Sequence, residues 1–473
     1  LHDRPWLEAH ALGWERLRRR LDAYPPERVA ALTGLAEDDI VALARLYAQR
    51  RPGLIKIADG VNRNFNGGQA VRAICALPAL TGQYGLPGAG LAYSVSGSLT
   101  WDAEAVHKWS HCPPPARHVN MNRLGVALLG EVDDPPIQAL YVFGANPVAS
   151  TPNAGAIVAG LQRVDLFTVV HELFMTDTAD YADFVLPATS QLEQVDVHKA
   201  YGHPTLSYNA PALQPLGESR SNWDTLRALA KALNLDDPWL HQSGEEVLDE
   251  VLAATAAHEP ALAGVDLARL QRETHVPLAV DEVPFADGRF HTASGRVELY
   301  VESLADRDLD PLPGYAADAR DPVKAPEGAD PGAALQLVSA AAHHFVSSSL
   351  ANQAGLQRRQ GPPRVEVHPQ DAAARGIRPG DRVTLANARG WVSLEAVVTD
   401  AVRPGVVASP KGHWAKLNGG RNLNWLTSAS LADLGGGSTF HSTRVWLRKG
   451  APSALEDGSN SGIIVKAGSK KGS

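Results

Sequence analysis

The sequence predicts an α/β fold, in which a doubly wound, mostly parallel sheet domain is followed by a small six-stranded β-barrel. Two observations predict it. Between residues 49 and 190, short apolar runs alternate with helical stretches and end in polar loops, which is typical of strand–helix units on a parallel sheet. From Ala334 onward, short strand candidates follow one another at close spacing with turns between them, which indicates a compact barrel.

The composition shifts along the chain predict four parts. They are a helical segment over residues 1–48, an α/β domain with a helical extension over 49–325, the barrel over 333–449, and a disordered tail over 450–473. The helical spacing in the first part predicts two helices, WERLRRRLDAY and AEDDIVALARLYAQR, with Thr33 as a candidate cap of the second. The stretch from Asp306 to Gly332 is rich in Pro, Asp and Ala, so we expect a linker there.

The individual elements are predicted from apolar runs and their flanks. The sheet strands are expected at Leu54–Ala58, Ala139–Phe143, Leu166–Val170 and FVLPA. Helices are expected at QAVRAICALPALTG, NAGAIVAGLQRV, NWDTLRALAKALNL and EEVLDEVLAATAA. Five barrel strands are expected at LQLVSA, RVEVH, DRVTLAN, WVSLEAVVT and GVVASP. Strand and helix therefore alternate first, and strands dominate later.

Charge and cysteine content exclude several function classes. The net charge of −8 leaves no basic surplus for nonspecific nucleic-acid binding. No apolar run approaches the roughly 20 residues that span a bilayer. Cys75 and Cys112 are the only cysteines and lie far apart, so this chain cannot ligate an iron–sulfur cluster by itself. No signal or transit peptide is visible, and a cytoplasmic location is expected, although a preceding segment could carry such a signal.

The first candidate site follows the apolar run Ala139–Phe143 in the motif FGANP. Gly144 permits a tight turn and close approach of the backbone to a ligand. The amide of Asn146 suits a nucleobase or ribose edge, and Ser150 precedes a helix whose amino terminus could face a phosphate. The alternative is a plain strand-to-helix turn capped by Asn or Ser.

The second candidate site follows the next apolar run in the loop HELFMTDTADYAD. It carries Glu172, Thr176, Asp177, Thr178 and Asp183. Carboxylates at the ends of parallel strands favour ribose or guanine N–H donors, and hydroxyls favour phosphate oxygens. The alternative is a helix start, with Thr176 or Asp177 as the cap and solvated acids in the first turn.

Five further motifs, together with the two loops, resemble the molybdopterin oxidoreductases, in family order over most of residues 30–447. Besides the two loops, they are the helix and glycine turn NGGQAVRAICALPALTGQYGLPGAGL, the segment FHTASGRVELY, and the barrel segments HPQDAAARGIRPGDRVTLANARG, VVTDAVRPGVVASPKGHW and NLNWLT. These enzymes carry a molybdenum or tungsten bis-(molybdopterin guanine dinucleotide) cofactor. The resemblance implies a double-psi-like barrel and two-electron redox chemistry.

The resemblance also implies a set of cofactor-binding residues. Gly144, Asn146, Ser150 and Glu172 match contacts to one guanosine end. Thr176 and Thr178 match a T-x-T-A motif, and Asp183 follows it in the same loop. In the barrel, the implied positions are His343, Ser348, Asn387, Asn424 and Thr427. Arg63, in GVNRNF, matches a loop that lies near the pterin.

Two departures from the family pattern limit what the resemblance implies. Ser96-Gly97-Ser98 stands where formate dehydrogenases have an Arg-Gly-Gln-Asn run, which argues against formate as the substrate. Neither the cluster cysteines nor a metal-ligating residue is matched, so we expect no catalytic or metal-binding residue in this chain. A 4Fe-4S cluster is expected only in a missing amino-terminal part, and the chain alone is expected to be inactive.

The expected partners follow from the same resemblance. They are a small-molecule substrate, the amino-terminal portion of the same enzyme and an electron-transfer subunit, with no nucleic acid and no membrane span. Two alternatives stay open. A non-catalytic relative could keep the fold as a structural platform, and an unrelated α/β nucleotide-binding enzyme is disfavoured because GxGxxG, P-loop and GxSxG motifs are lacking.

Overall fold

The computed structural model describes residues 1–112, 117–130, 135–316, 321–326 and 328–452. The chain begins with four helices: α1 Arg4–His10, α2 Trp14–Leu21, α3 Pro26–Thr33 and α4 Glu37–Gln49. The two predicted helices correspond to α2 and α4, and the two others were not predicted. Thr33 is the last residue of α3, not a cap of α4, because α4 starts after Ala36. The short strand β1, Ala11–Leu12, follows α1.

The first βα unit forms as predicted. Strand β2, Leu54–Lys56, and strand β3, Gly90–Ala92, pair in parallel, and helix α5, Gly67–Leu80, lies between them in the chain. Helix α5 shares a buried cluster with Leu7, Trp14 and Leu17 of the first two helices. The amino-terminal helices and the first βα unit are thus joined by one core.

A three-stranded parallel sheet carries both candidate loops. Helices α6 Ala103–His107 and α7 Leu124–Leu128 precede it, and its elements are β4 Ala139–Phe143, α8 Pro147–Ser150, α9 Ala154–Leu161, β5 Phe167–Glu172 and β6 Phe184–Pro187. The strand order is β4-β5-β6, with Val142 opposite Val170. All three strands run in the same direction, so the loops after β4 and β5 leave the sheet at the same edge.

The helical extension packs around a small antiparallel sheet. Its elements are β7 Asp196–Lys199, β8 Thr205–Asn209, α10 Asn222–Ala232, α11 Gly244–Ala256, α12 Leu267–Glu273, β9 His275–Pro277 and β10 Val297–Glu298. Strand β10 pairs in parallel with β1. No helix within the described ranges is both long and apolar enough to cross a membrane.

The carboxy-terminal part is a closed six-stranded barrel, which confirms the prediction. Its elements are β11 Leu335–Val338, α13 Ala354–Gln360, β12 Arg364–Val367, α14 Pro369–Ala374, β13 Arg382–Asn387, β14 Gly390–Val398, β15 Val406–Ala408 and β16 Arg444–Lys449. Around the barrel the order is β11-β15-β12-β14-β13-β16. Strand β16 was not among the five predicted strands. Most of the tail predicted over 450–473 lies outside the described residues, which end at 452.

The barrel and the parallel sheet share one buried core. Ile157 and Leu161 of α9 belong to the same buried cluster as Leu337, Val365 and Leu385 inside the barrel. Gly155 lets α9 approach the barrel closely, because a Cβ there would lie 3.1 Å from the Trp425 ring. This packing holds the carboxyl edge of the sheet against the long loops of the barrel.

Candidate functional site

The loop after β4 begins with a backbone turn that glycine supplies. Gly144 has φ +58°, and its amide donates to the His171 carbonyl at 3.3 Å. A left-handed backbone of this kind is strained for residues with a Cβ. Apart from its two chain neighbours, no atom of the described residues lies within 4 Å of the position that a Cβ would take. The turn therefore leaves open space beside the backbone at the carboxyl edge of the sheet.

Asn146 joins the two candidate loops through its side chain. Its Oδ1 accepts hydrogen bonds from the Thr178 hydroxyl at 2.8 Å and from the Thr178 amide at 3.3 Å. The Thr178 hydroxyl in turn accepts from the Val148 amide at 3.2 Å, and Thr178 is fully buried. Because the carboxamide oxygen is fixed in this way, the direction of its Nδ2 group is fixed too.

The Nδ2 group of Asn146 is buried and has no hydrogen-bond partner among the described residues. A buried donor without a partner costs about 1–3 kcal/mol, so such groups often belong to a ligand site. Ser150 supports the same turn, since its hydroxyl donates to the Asn146 carbonyl at 2.9 Å. Asn146 therefore offers one unused donor on a rigid turn.

The loop after β5 contains two predicted residues with different surroundings, Glu172 at the strand end and Thr176 within the loop. The Glu172 carboxylate at the end of β5 accepts from the Leu173 amide at 2.8 Å, and burial raises its pKa. The Thr176 hydroxyl accepts from the Ala179 amide at 3.2 Å, whereas the N-cap of the short 3-10 turn Ala179–Tyr181 is Thr178, whose side chain makes no capping hydrogen bond. Thr176 thus shapes the loop.

Asp177, which was noted in this loop but is not among the cofactor contacts that the resemblance implies, connects the loop to the barrel. Its two carboxylate oxygens accept from the amides of Ala415, at 3.2 Å, and Lys416, at 2.9 Å. Burial raises the Asp177 pKa. The Lys416 ammonium donates to the Thr176 carbonyl at 3.1 Å and pairs with Asp180 at 3.0 Å. The position of Asp177 between Thr176 and Thr178 was the sequence feature that could have identified it.

Two barrel asparagines bind the carbonyl groups of helix α8. The Asn424 amide donates to the Ala149 carbonyl at 2.8 Å, and the Asn422 amide donates to the Val148 carbonyl at 3.0 Å. These bonds satisfy carbonyls that the short helix leaves unpaired. Thr427 supports Asn424, because its hydroxyl donates to the Asn424 carbonyl at 3.2 Å. Asn422 was not predicted from the sequence, although it lies two residues before Asn424.

The structure thus brings most of the predicted residues into one region of sheet and barrel loops, linked by hydrogen bonds and chain connectivity. They are Gly144, Asn146, Ser150, Glu172, Thr176, Thr178, Asn424 and Thr427. We call this set the loop network. Ser348 adjoins it, since its carbonyl accepts from the Trp414 indole at 2.8 Å, and Trp414 precedes the amide that binds Asp177.

Asp183 lies at the opposite edge of the sheet from the loop network. It directly precedes β6, and its carboxylate accepts from the amide of Thr168, near the start of β5, at 2.8 Å. The Asp183 amide donates to the Thr168 carbonyl, also at 2.8 Å. Parallel strands start at one edge and end at the other, so Asp183 is separated from Glu172 by the length of β5. Its carboxylate fixes the pairing of two strands.

Asn387 and His343 lie in the barrel with different surroundings. The Asn387 amide donates to the carbonyls of Leu426, at 2.9 Å, and Arg444, at 3.0 Å, and its Oδ1 accepts from the Arg389 amide at 3.0 Å. Asn387 therefore ties the β13–β14 turn to its neighbours. His343 is exposed, and its ring lies edge-on to His344 at 4.7 Å.

Arg63 lies in a second group of residues, between the loop after β2 and the barrel. Its guanidinium donates to the Ser438 hydroxyl at 3.2 Å and lies 5.5 Å from the centre of the Phe440 ring. The Lys411 ammonium lies 4.2 Å from the same ring centre. Burial and the nearby Arg63 charge lower the Lys411 pKa to about 8. Lys411 and His441 were not selected from the sequence.

Two family descriptions match the chain over separate ranges. Residues 20–232 match the molybdopterin oxidoreductase family, and residues 335–444 match the molydopterin dinucleotide binding domain. The chain belongs to the molybdopterin oxidoreductase family. The matched ranges contain the parallel sheet and five of the six barrel strands, and therefore both halves of the loop network.

Curated relatives of this family extend beyond the chain. It is 37% identical to the probable oxidoreductase YoaE of Bacillus subtilis, over 95% of this chain and 64% of the relative. It is 28% identical to the dimethyl sulfoxide/trimethylamine N-oxide reductase of Rhodobacter capsulatus, over 88% of this chain and 56% of the relative. The chain thus spans between half and two-thirds of the length of these relatives.

A solved structure shows the same fold. Acetylene hydratase from Pelobacter acetylenicus superimposes with a TM-score of 0.75 and 22% identity, covering 95% of this chain and 68% of that chain. At this identity the similarity concerns the fold alone. The α/β domain and the closed barrel therefore have the arrangement found in that enzyme.

The loop network fits the dinucleotide of the family's molybdopterin cofactor. The unused Asn146 donor and the open space beside Gly144 lie together at the carboxyl edge of a parallel sheet, where open α/β folds bind nucleotides. Within the described ranges, no three His, Cys, Asp or Glu side chains are grouped to hold a metal ion. These residues offer a buried amide donor and open space beside the backbone at the edge of the sheet.

Proposed function

We propose that this chain is the carboxy-terminal, dinucleotide-holding part of a molybdenum or tungsten oxidoreductase, and that its cofactor is bis-(molybdopterin guanine dinucleotide). When bound, the cofactor would supply two-electron redox chemistry toward a small-molecule substrate. The observation that carries the proposal is the rigid Asn146 turn, whose buried donor has no partner in the described part of the chain.

The chain's own residues would bind and orient one guanosine end of the cofactor. Asn146 would donate from Nδ2 to a base or ribose acceptor, and Thr178 would hold that amide in place through its bond to Oδ1. The open side of Gly144 would admit the nucleotide close to the backbone. Asp177 and Asn424 would keep the barrel loops closed over the sheet edge.

The composition of the purified protein tests this proposal. The protein is produced from its natural gene, the metal is measured by mass spectrometry, and GMP is measured after acid release. We expect molybdenum or tungsten with about two equivalents of GMP for each metal ion. A folded protein that contains neither metal nor GMP would refute the proposal and favour the non-catalytic relative.

The substitution Asn146→Asp tests the role of the unused donor. Aspartate keeps an oxygen that can accept from Thr178 but replaces the Nδ2 donor with a second acceptor. Because a hydrogen bond between neutral groups contributes about 0.5–1.5 kcal/mol and the new carboxylate would face an acceptor, we expect the nucleotide affinity to fall by about tenfold. The measurement is the GMP content of the purified protein and the rate at which it is lost on dilution.

The matched control is Asn209→Asp on strand β8, outside the loop network. The Asn209 amide donates to the carbonyls of Gln191, at 2.7 Å, and Gln194, at 2.8 Å, so this change also removes an amide donor. We expect it to leave the GMP content unchanged. If Asn146→Asp retains as much GMP as the control, Asn146 is not a nucleotide ligand.

A further inference from the structure

One face of the three-stranded parallel sheet carries a set of large apolar side chains. Successive residues of a strand point to opposite faces of the sheet, and the pairing of the strands shows which residues share a face. Tyr141, Val169 and Phe184 stand side by side on β4, β5 and β6, and Phe143 and Phe167 lie in the neighbouring rows of the same face. We call these five residues the aromatic face.

The aromatic face is exposed, although the opposite face of the same strands is buried. Phe143, Phe167 and Phe184 are 50, 49 and 60% exposed. On the opposite face, Val170 is fully buried and belongs to one apolar cluster with Ala179. Parallel sheets normally bury both faces, because their helical crossovers pack on either side. Among the described residues, no complete layer therefore covers the aromatic face.

Helix α10 contacts this face at His171 and leaves the aromatic side chains exposed. The Thr225 hydroxyl of α10 lies 3.4 Å from Nε2 of His171, which is buried and stands beside Phe143 in the sheet. The ring centres of Phe167 and Phe184 are 5.9 Å apart, so the exposed rings adjoin each other. The members of the aromatic face are all uncharged, and contiguous apolar surface of this kind marks a contact site.

The sheet is also open at one edge. Strand β4 pairs with β5 and with no other strand of the described residues, and an unpaired edge is a template for a further strand. A strand added at that edge, followed or preceded by a helix on the aromatic face, would complete a two-sided α/β arrangement. The surface therefore fits a partner that is built like the sheet domain itself.

A second apolar surface without cover lies on helix α4. Leu43 and Leu46 are 67 and 54% exposed, and no side chain of this 13-residue helix, which lies wholly within the described ranges, is buried. Two copies of the chain that paired through the aromatic face would leave α4 exposed, because such a pairing uses the same patch on both copies. A larger segment that covers both surfaces accounts for the two observations together.

We propose that the aromatic face binds an apolar helix from an amino-terminal part of the same enzyme, and that this part also adds a strand to β4. The inference rests on the proposed function, in which this chain is the carboxy-terminal part of a longer protein. The relatives support this choice of partner, since the chain spans 64% of YoaE and 56% of the dimethyl sulfoxide/trimethylamine N-oxide reductase. The remainder of such a protein is long enough for a covering domain.

Thiol labelling tests whether the aromatic face is covered. The protein is produced from its natural gene, and Phe184→Cys and Phe167→Cys are each treated with a maleimide. Modification is measured peptide by peptide, so that Cys75 and Cys112 do not interfere. We expect both variants to react about tenfold or more slowly than Asp400→Cys, an exposed position on the barrel turn after β14, since a covered thiol reacts only when its cover opens. All three should react equally fast when unfolded in urea.

Cross-linking identifies what covers the face. The substitution Phe184→p-benzoylphenylalanine is made in the natural gene product, the side chain is activated by light, and the linked peptides are identified by mass spectrometry. We expect cross-links to peptides that precede Leu1 in the gene product. Cross-links only within residues 1–473, whether in one copy or between two copies, would overturn the inference, as would a link to a different protein.

Two further outcomes would count against the docking surface. They are equal labelling of Phe184→Cys, Phe167→Cys and Asp400→Cys in the folded protein, and a natural gene product that begins at Leu1. Neither experiment depends on the cofactor. A preparation that lacks metal and GMP but shows protected labelling and the expected cross-links would therefore refute the cofactor of the proposed function and support the docking surface.

Discussion

His413 is a buried imidazole on the barrel loop that also supplies the amides bound by Asp177. It is 6% exposed, its Nε2 atom has no partner among the described residues, and its ring lies edge-on to Phe345 at 5.3 Å. Burial lowers its pKa to about 4. The folded protein therefore holds His413 in the neutral form at pH values where an unfolded chain would protonate it.

This difference makes stability depend on pH in a predictable window. The folded pKa lies below the unfolded value of about 6.5, so the unfolded state takes up the proton first. The free energy of unfolding should be unaffected by His413 above about pH 6.5 and should decrease by up to about 3 kcal/mol as the pH falls toward 4. Urea unfolding at pH 7 and pH 5 measures this decrease in the free energy of unfolding.

The matched variant is His413→Gln, which does not titrate in this range. Its stability should fall less than that of the natural protein between pH 7 and pH 5. The residual dependence belongs to groups such as His441, whose pKa is also lowered. Equal pH dependence in the two proteins would show that His413 is accessible to protons in the folded state.

At the scale of single residues, the sequence indicated the region of the site better than the role of each side chain. Asn146 and Thr178 were selected and meet directly, because each follows a parallel strand at the same edge. Asp183 was selected from the same stretch but lies across the sheet, since the chain crosses back before β6 begins. Some side chains use their polar atoms for hydrogen bonds within the fold, as Asn387 does. Whether a side chain does so depends on partners that are distant in sequence.

At the scale of elements, helix α5 receives its cap from a distant loop. Its own N-cap residue, Asn66, makes no capping hydrogen bond. The Asp433 carboxylate instead accepts from the amides of Gly68, at 2.7 Å, and Gln69, at 3.1 Å. A carboxylate at this end also interacts favourably with the helix dipole. The first βα unit is therefore attached to the loop before β16.

Removing this cap should destabilise α5 selectively. We expect Asp433→Ala to cost about 1–2 kcal/mol in the free energy of unfolding and to accelerate amide hydrogen exchange in residues 67–80. Asp433→Asn keeps one acceptor oxygen and should lose about half as much. Hydrogen exchange followed by mass spectrometry measures the exchange rates of residues 67–80. Unchanged rates in Asp433→Ala would mean that solvent replaces the Asp433 cap without a free-energy cost.

The elements that the sequence predicted are those whose pattern is local. The strand Ala139–Phe143 is a short apolar run. The helices α10 and α11 have apolar periodicity and side-chain caps, such as Ser243 with Glu246 on α11. Helix α1 is only seven residues long, and α3, which has the same eight-residue length as the predicted α2, has no buried apolar face. Strand β16 follows irregular loops, and its place is decided by pairing with β11 and β13.

At the scale of the whole molecule, the parallel sheet domain and the barrel share one core. Helix α9 places Ile157 and Leu161 among the barrel's buried side chains. The buried Asp321 carboxylate, on the segment between the two parts, pairs with Arg389 of the β13–β14 turn at 3.2 Å. A barrel separated from the sheet domain would expose this apolar surface and lose the hydrogen bonds from its loop amides to Asp177, both of which cost free energy.

The barrel predicted over residues 333–449 should therefore depend on the rest of the chain for its stability. Residues 328–452 produced alone should show poorly dispersed amide NMR signals and bind a hydrophobic dye, because their apolar face has lost α9. Co-production with residues 1–326 should restore dispersion, since the two pieces together contain the complete core. The intact chain should unfold in one calorimetric transition. A separate barrel that unfolds sharply and cooperatively by itself would contradict the shared core.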